Sequence, residues 1–211
     1  MVVLLPIAVF AGRFLAYRDF RGKGITEAIV MLPLVLPPTV LGFYLLVAFG
    51  GNSPVGQFWR EAFGHQLVFS FEGLVAASVV FNLPFAIQPA QRGFEAIAKE
   101  IREAAACCGL GPVKSMWKVE LPLAWPGLMT AMVLTFAHTL GEFGIVLMVG
   151  GSIPGETKTI AIAIYDRVQA FDGRGAAIMS AVLLTISLFT ITLTFWLSAR
   201  VGRRVGRWPL K

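Results

Sequence analysis

Charge is scarce in this chain. Of its 211 residues, 14% are Asp, Glu, Lys or Arg, where soluble domains carry about 25%. That shortage argues against an ordinary water-soluble domain. Histidine and cysteine are scarcer still, at two residues each. A structural zinc cage takes four such ligands, and His65, His138, Cys107 and Cys108 are not spaced as one. Cys107 and Cys108 are adjacent, and a vicinal pair bridges only with strain. They read as small residues on a helix face. Acidic residues number twelve against eighteen basic ones, a net charge of +6.

What is abundant is apolar sequence. Hydrophobic residues make up 56% of the chain, and the mean hydropathy is +0.74. A hydrocarbon core of about 30 Å requires roughly 20 apolar residues per helix. Runs without an acidic or basic residue extend from Ala28 to Trp59, Gly73 to Gln91, Leu121 to Gly141 and Gly175 to Ala199. A shorter run at 1–17 is interrupted by Arg13. No basic residue precedes it and no small-x-small site follows, so it reads as a first span rather than a signal peptide. The expectation is an all-α membrane protein of about five transmembrane helices in one domain, 1–211. The spans fall near 1–17, 28–49, 73–91, 122–148 and 175–199.

The basic residues set the topology. All but Arg13, Arg60, Lys158, Arg167 and Arg174 fall in three clusters, at 18–23, 92–118 and 200–211. Cytoplasmic loops carry the excess of Lys and Arg. The clusters therefore place 18–26, 92–120 and the C-terminus in the cytoplasm and the N-terminus outside. Segment 159–172 then stays on the outer side or re-enters. The charge is a membrane-orientation signal here, and no nucleic-acid partner is expected.

Three stretches depart from plain apolar helix. Span two contains Leu32-Pro33 and Leu36-Pro37-Pro38-Thr39, and such breaks are tolerated where neighbours or a water-filled cavity satisfy the freed carbonyls. Loop 50–70 carries an amphipathic piece around Phe58 to Phe63. In the cytoplasmic loop 92–121, residues 94–108 are strong helix formers with apolar residues at helical spacing. Gly109 fits the left-handed residue that closes a helix, and Pro112 fits the first turn of the next. The loop should be an ordered helix–turn–helix, with Ala104, Ala105 and Ala106 presenting a shallow surface. Gly-Leu-Gly-Pro-Val-Lys-Ser at 109–115 is no phosphate-binding loop, since that motif needs Gly directly before Lys, after a strand.

Glu103-Ala104-Ala105, three residues, Gly109, nine residues, Val119, one residue and Leu121-Pro122 resemble the EAA loop of ABC importer permeases. The pattern there is EAA-x3-G-x9-I-x-LP, and the chain departs from it only by Val119. The resemblance implies a type I ABC importer permease fold (MetI-like). It also implies that Glu103, Ala104, Ala105, Gly109, Val119, Leu121 and Pro122 form coupling helices docked on a separate ATPase subunit.

FAHTLGEFG at 136–144 places ionisable residues inside a span, where they are costly and often functional. His138 and Glu142 are four apart and would share a helix face; Gly141 and Gly144 would permit close packing. Two ligands are too few for zinc. A carboxylate repels an oxyanion, so Glu142 is read as organising a gate through hydrogen bonds to backbone or a basic partner. Pro37, Pro38, Thr39, His138, Gly141, Glu142 and Gly144 are the path and gate residues. Leu140 to Gly144, Ser152 to Thr159, Ile164-Tyr165, RDFRGK from Arg18 and LPLVLPP from Leu32 resemble the molybdate permease subfamily. Sulfate permeases are close relatives with similar elements.

The resemblance implies an inner-membrane subunit moving molybdate or tungstate, with sulfate or thiosulfate as the alternative. It further implies a second permease copy, two cytoplasmic ABC ATPase subunits and an extracytoplasmic oxyanion-binding protein, besides membrane lipid. The chain itself is expected to catalyse no covalent step and to hold no cofactor or metal, ATP and Mg residing on the ATPase. A proton-coupled secondary transporter built on His138 and Glu142 is the reading from another class. It predicts transport without an ATPase, and usually inverted repeats, which the sequence does not display.

Overall fold

Prolines and glycines divide the apolar sequence into more helices than spans. A computed structural model describes the backbone of residues 1–205 and the side chains of residues 1–196. Arg200, Arg203, Arg204, Arg207 and Lys211, on which the cytoplasmic C-terminus rests, lie outside the described side chains. Among the described residues there is helix and no strand. The helices are α1 (Leu4–Tyr17), α2 (Lys23–Val35), α3 (Pro38–Phe49), α4 (Pro54–Phe63), α5 (Phe71–Glu95) and α6 (Lys99–Cys107). Then come α7 (Pro112–Ser115), a π-helical turn (Met116–Glu120), α8 (Leu121–Gly141), α9 (Gly144–Gly150), α10 (Ile160–Gln169) and α11 (Gly173–Val205).

Among the described residues, three helices are long and apolar enough to cross a bilayer: Phe71–Glu95, Pro112–Gly141 and Gly173–Trp196. The expected span at 28–49 is not one rod. α2 and α3 meet at an angle of 109°, because Pro37 is held extended (φ −54°, ψ 136°) and proline also disfavours the α region in the residue before it. The expected span at 122–148 is likewise split, with α8 ending at Gly141 and α9 starting at Gly144. α1 is an apolar helix of 14 residues. α10 has 10 residues, about 15 Å at 1.5 Å per residue, which is too short to cross.

The chain divides into two units, and α2, α5, α8 and α11 each contribute a part to both. The first unit comprises Met1–Val30, Leu83–Phe136 and α11 from Thr190. Small residues set its packing. A Cβ on Gly12 of α1 would lie 2.9 Å from the Gln91 nitrogen, and one on Gly127 would lie 2.6 Å from the Gly93 Cα. α1 against α5, and α5 against α8, thus approach backbone to backbone. Phe94, Ala90, Ala124 and Leu128 are fully buried around these crossings.

The second unit comprises Met31–Asn82 and Ala137–Phe189. Its core is Leu41 and Leu45 of α3, Ala77 and Phe81 of α5, and Ile145 and Val149 of α9. Gly42 admits α9, since a Cβ there would lie 2.9 Å from the Met148 Cβ. Local caps fix the shorter helices. Ser53 accepts from the Gly56 N–H at 2.9 Å, with Pro54 at the first helical position and Gly64 left-handed at the end. The sequence places this amphipathic piece at 58–63, and the helix begins four residues earlier. Asp172 accepts from the Gly175 N–H at 2.8 Å and from Arg167 at 2.7 Å. The Gly175 bond, reinforced by Arg167, holds its carboxyl below the usual range.

Candidate functional site

The first part of the site is the loop between α5 and α8. Helix was expected over 94–108, but the backbone breaks between Glu95 and Lys99. Phe94 and Ile97 are both buried and close off α5 rather than lining α6. Beyond the break, α6 has the termination that Gly109 implies. Gly109 has φ +77°, its N–H donates to the Ala106 carbonyl at 2.9 Å, and the Leu110 N–H donates to the Ala105 carbonyl at 3.1 Å. These are the paired bonds of a Schellman cap. Gly111 then precedes Pro112 at the first position of α7.

α7 does not stop before Leu121-Pro122. It runs through the π-helical turn into α8, so that Pro112–Gly141 is one 30-residue helix. The Leu121 N–H donates to the Met116 carbonyl, five residues back. Proline lacks an N–H and its ring crowds the carbonyl four residues earlier. A wider turn just upstream accommodates Pro122 without ending the helix. Of the motif positions, Glu103, Ala104, Gly109 and Pro122 are exposed, Val119 and Leu121 are half-buried, and Ala105 is buried. Glu103 pairs with Lys99 at 3.1 Å. Ile101 and Val113 are also open, at 43% and 68% exposure.

Sequence reasoning missed what holds this loop. Glu120 is 2% exposed, accepts from Arg13 Nε at 2.6 Å and Nη2 at 3.1 Å, and accepts from Ser115 Oγ at 3.2 Å. A paired, forked arginine is what a buried carboxylate requires. Arg102 of α6 lies over the Tyr17 ring of α1 at 3.8 Å, and Tyr17 meets Phe94 edge-on with centroids 6.0 Å apart. Gln91 donates to Glu27 and Glu95, each at 2.9 Å. The signal was present: a lone arginine in span one and a lone glutamate just before span four each need a partner in an apolar setting.

The second part of the site is the interruption after α8. The helix ends at Gly141, so Glu142 lies past it, and the shared helical face expected for His138 and Glu142 does not form as such. Glu142 is buried, and its Oε1 accepts from the Ile145 N–H at 2.8 Å. It thereby serves one of the unpaired donors at the start of α9. Gly144 is the packing glycine, since a Cβ there would lie 3.0 Å from the Pro38 Cβ. Gly141 is not, because a Cβ there would meet nothing within 4 Å. The structure thus brings Pro38, Glu142 and Gly144 together, while Pro37 and Thr39 are exposed at the start of α3. His138 Nδ1 lies 3.3 Å from Asn82 Oδ1, and Asn82 Nδ2 donates to Thr139 Oγ1 and to the Ser78 carbonyl, each at 2.9 Å. Asn82, fully buried, is a polar junction that the sequence analysis does not single out. Among the described residues, no three His, Cys, Asp or Glu side chains are grouped to hold a metal ion.

A family model described as "Binding-protein-dependent transport system inner membrane component" matches residues 5–207. The chain belongs to this family. This inner membrane component is 49% identical over 171 residues to the molybdenum transport system permease protein ModB of Azotobacter vinelandii, covering 81% of this chain and 76% of that one. It is 35% identical over 205 residues to the ModB protein of Escherichia coli K12, covering 96% and 89%. The sulfate transport system permease protein CysT of Salmonella typhimurium is 33% identical over 186 residues, covering 88% and 67%. Among solved structures, a bacterial ABC transporter involved in the import of the acidic polysaccharide alginate matches with a TM-score of 0.69. That match covers 94% of this chain and 76% of that one at 14% identity, and it establishes the all-helical ABC importer permease fold. The inner membrane component is a membrane-embedded transport subunit.

Proposed function

We propose that this chain is the permease subunit of an ATP-driven importer for molybdate or tungstate. The observation that carries the substrate is the 49% identity over 171 residues to a protein named for molybdenum transport, against 33% over 186 residues for one named for sulfate. Sulfate is the second reading because that relative also spans 88% of the chain. Two copies form the path, with the N-terminus outside and the C-terminus cytoplasmic. An oxyanion-binding protein docks on outer loops 50–70 and 149–173. Two ATPase subunits dock on loop 92–121 and hold the ATP and Mg, leaving this chain without cofactor or covalent chemistry.

Exposure of Ile101, Ala104 and Val113 supports coupling through α6 and α7: apolar and small side chains open to the aqueous side fit a partner's groove, with Glu103 beside them as an acceptor for its basic or amide groups. On this reading, closure of the ATPases moves the two loop helices. The junction of Pro38, Glu142 and Gly144 is the gate, and Glu142 organises it by holding the start of α9. A carboxylate engaged on a backbone donor in this way favours a structural role over a proton-carrying one. The test is reconstitution with the ATPase and binding proteins in vesicles. Molybdate-loaded binding protein should stimulate ATP hydrolysis and uptake; stimulation by the sulfate-loaded partner alone would transfer the assignment to sulfate. Uptake without any ATPase would end the importer reading.

A further inference from the structure

α1 is fastened to both halves of the coupling loop. Arg13 forks onto Glu120 in the π-helical turn, and Ser115 of α7 donates to the same carboxylate. One turn along α1, Tyr17 carries the Arg102 guanidinium of α6 on its face at 3.8 Å and the Phe94 edge at 6.0 Å. We propose that Arg13 and Tyr17 make α1 a moving part of the coupling apparatus, so that displacement of either loop helix is transmitted to span one. This rests on the reading of α6 and α7 as coupling helices.

The two fastenings are suited to that task by chemistry. A forked guanidinium–carboxylate pair is directional, and it resists both sliding and rotation. Glu120 has a side-chain exposure of 3%, so the carboxylate is poorly placed to exchange Arg13 for water during motion. The guanidinium–ring stack on Tyr17 is less directional and tolerates tilt. One stiff joint and one compliant joint on the same helix, four residues apart, would carry the motion of α7 faithfully and let α6 adjust. Arg13 and Tyr17 are positioning residues, since neither belongs to the gate.

The decisive experiment follows α1 itself. A nitroxide placed at exposed Phe10 (61% exposed), in a Cys107→Ser, Cys108→Ser background, reports the distance between the two copies' labels in the full complex. ATP–Mg with vanadate should shift that distance. In the Arg13→Met, Glu120→Met double variant, which leaves no unpaired buried charge, the shift should fall by more than half, and uptake per ATP should fall about tenfold. No shift in the unmodified pair, or an undiminished shift in the double variant, overturns the proposal. If the double variant does not assemble, the exchanged pair Arg13→Glu with Glu120→Arg decides: restored shift supports the strut, and a lost shift in an assembled complex refutes it. A shift without molybdate uptake would count against the substrate reading and leave this inference standing.

Discussion

Gly109 should tolerate asparagine, resist alanine and reject proline. Its φ is +77° and a Cβ there would meet nothing within 4 Å, so alanine meets no clash and incurs only the left-handed backbone cost, about 1–2 kcal/mol. That changes the ratio of closed to opened turn by about 5- to 30-fold. Asparagine visits this region more readily and should stay near wild type. Proline fixes φ near −65° and has no N–H, so it both reverses the turn and removes the donor to Ala106 at 2.9 Å, costing roughly 3 kcal/mol or more. Hydrogen exchange at the Leu110 amide, which donates to Ala105 at 3.1 Å, should rise in the order Asn, Ala, Pro. Retention of the ATPase subunit on purification should fall in the same order. Gly111→Ala is the control: φ is −64° and a Cβ there would also meet nothing within 4 Å, so no effect is expected. A Gly109→Pro chain that inserts, keeps slow exchange at Leu110 and retains its ATPase would refute the reasoning.

Three further outcomes are expected. Glu142→Gln keeps an acceptor for the Ile145 N–H and should transport, whereas Glu142→Ala leaves that buried donor unpaired at about 1–3 kcal/mol and should hydrolyse ATP with little accumulation; equal uptake by both removes Glu142 from the gate. Gly127→Ala drives a Cβ to 2.6 Å from the Gly93 backbone, which cannot yield as a side-chain end could, and should sharply lower the thermal midpoint of the solubilised chain; an unchanged midpoint would show that the α5–α8 crossing is looser than described. In a Cys-free background, cysteines at Asn52 and Ser152 should label from outside and one at Val113 only after permeabilisation. Val113 is chosen over nearby Ser115 because Ser115 is buried on Glu120. Labelling of Val113 from outside would invert the topology.

Local chemistry was the legible part of this protein. Gly109 and Pro112 specify a left-handed cap and a helix start from their own backbone restrictions, and both are found there. Long apolar runs also located α5, α8 and α11, because length and composition alone decide whether a helix can cross. What failed was continuity. Pro37-Pro38 reads in the sequence as a break inside one span at 28–49, whereas the extended Pro37 turns the chain by 109°. The Gly141–Gly144 break was hidden because its flanks are equally apolar and only the Glu142 bond to Ile145 reveals the new helix start. Phe94 and Ile97 fitted the helical spacing of the following segment, yet burial assigned them to the end of α5. Glu120 was passed over since its partner lies 107 residues away, a distance no periodicity can report.

The π-helical turn at Met116–Glu120 also has a genetic consequence. It amounts to one surplus residue in an otherwise α-helical rod. Removing a single codon there would restore regular winding and rotate everything on its N-terminal side by about 100° about the helix axis. Val113 would then face a different direction and Ser115 would leave Glu120. Substitution and deletion should therefore diverge sharply in this segment. Saturation mutagenesis across 113–119 should recover many functional single replacements, and a library of one-residue deletions over the same codons should recover almost none.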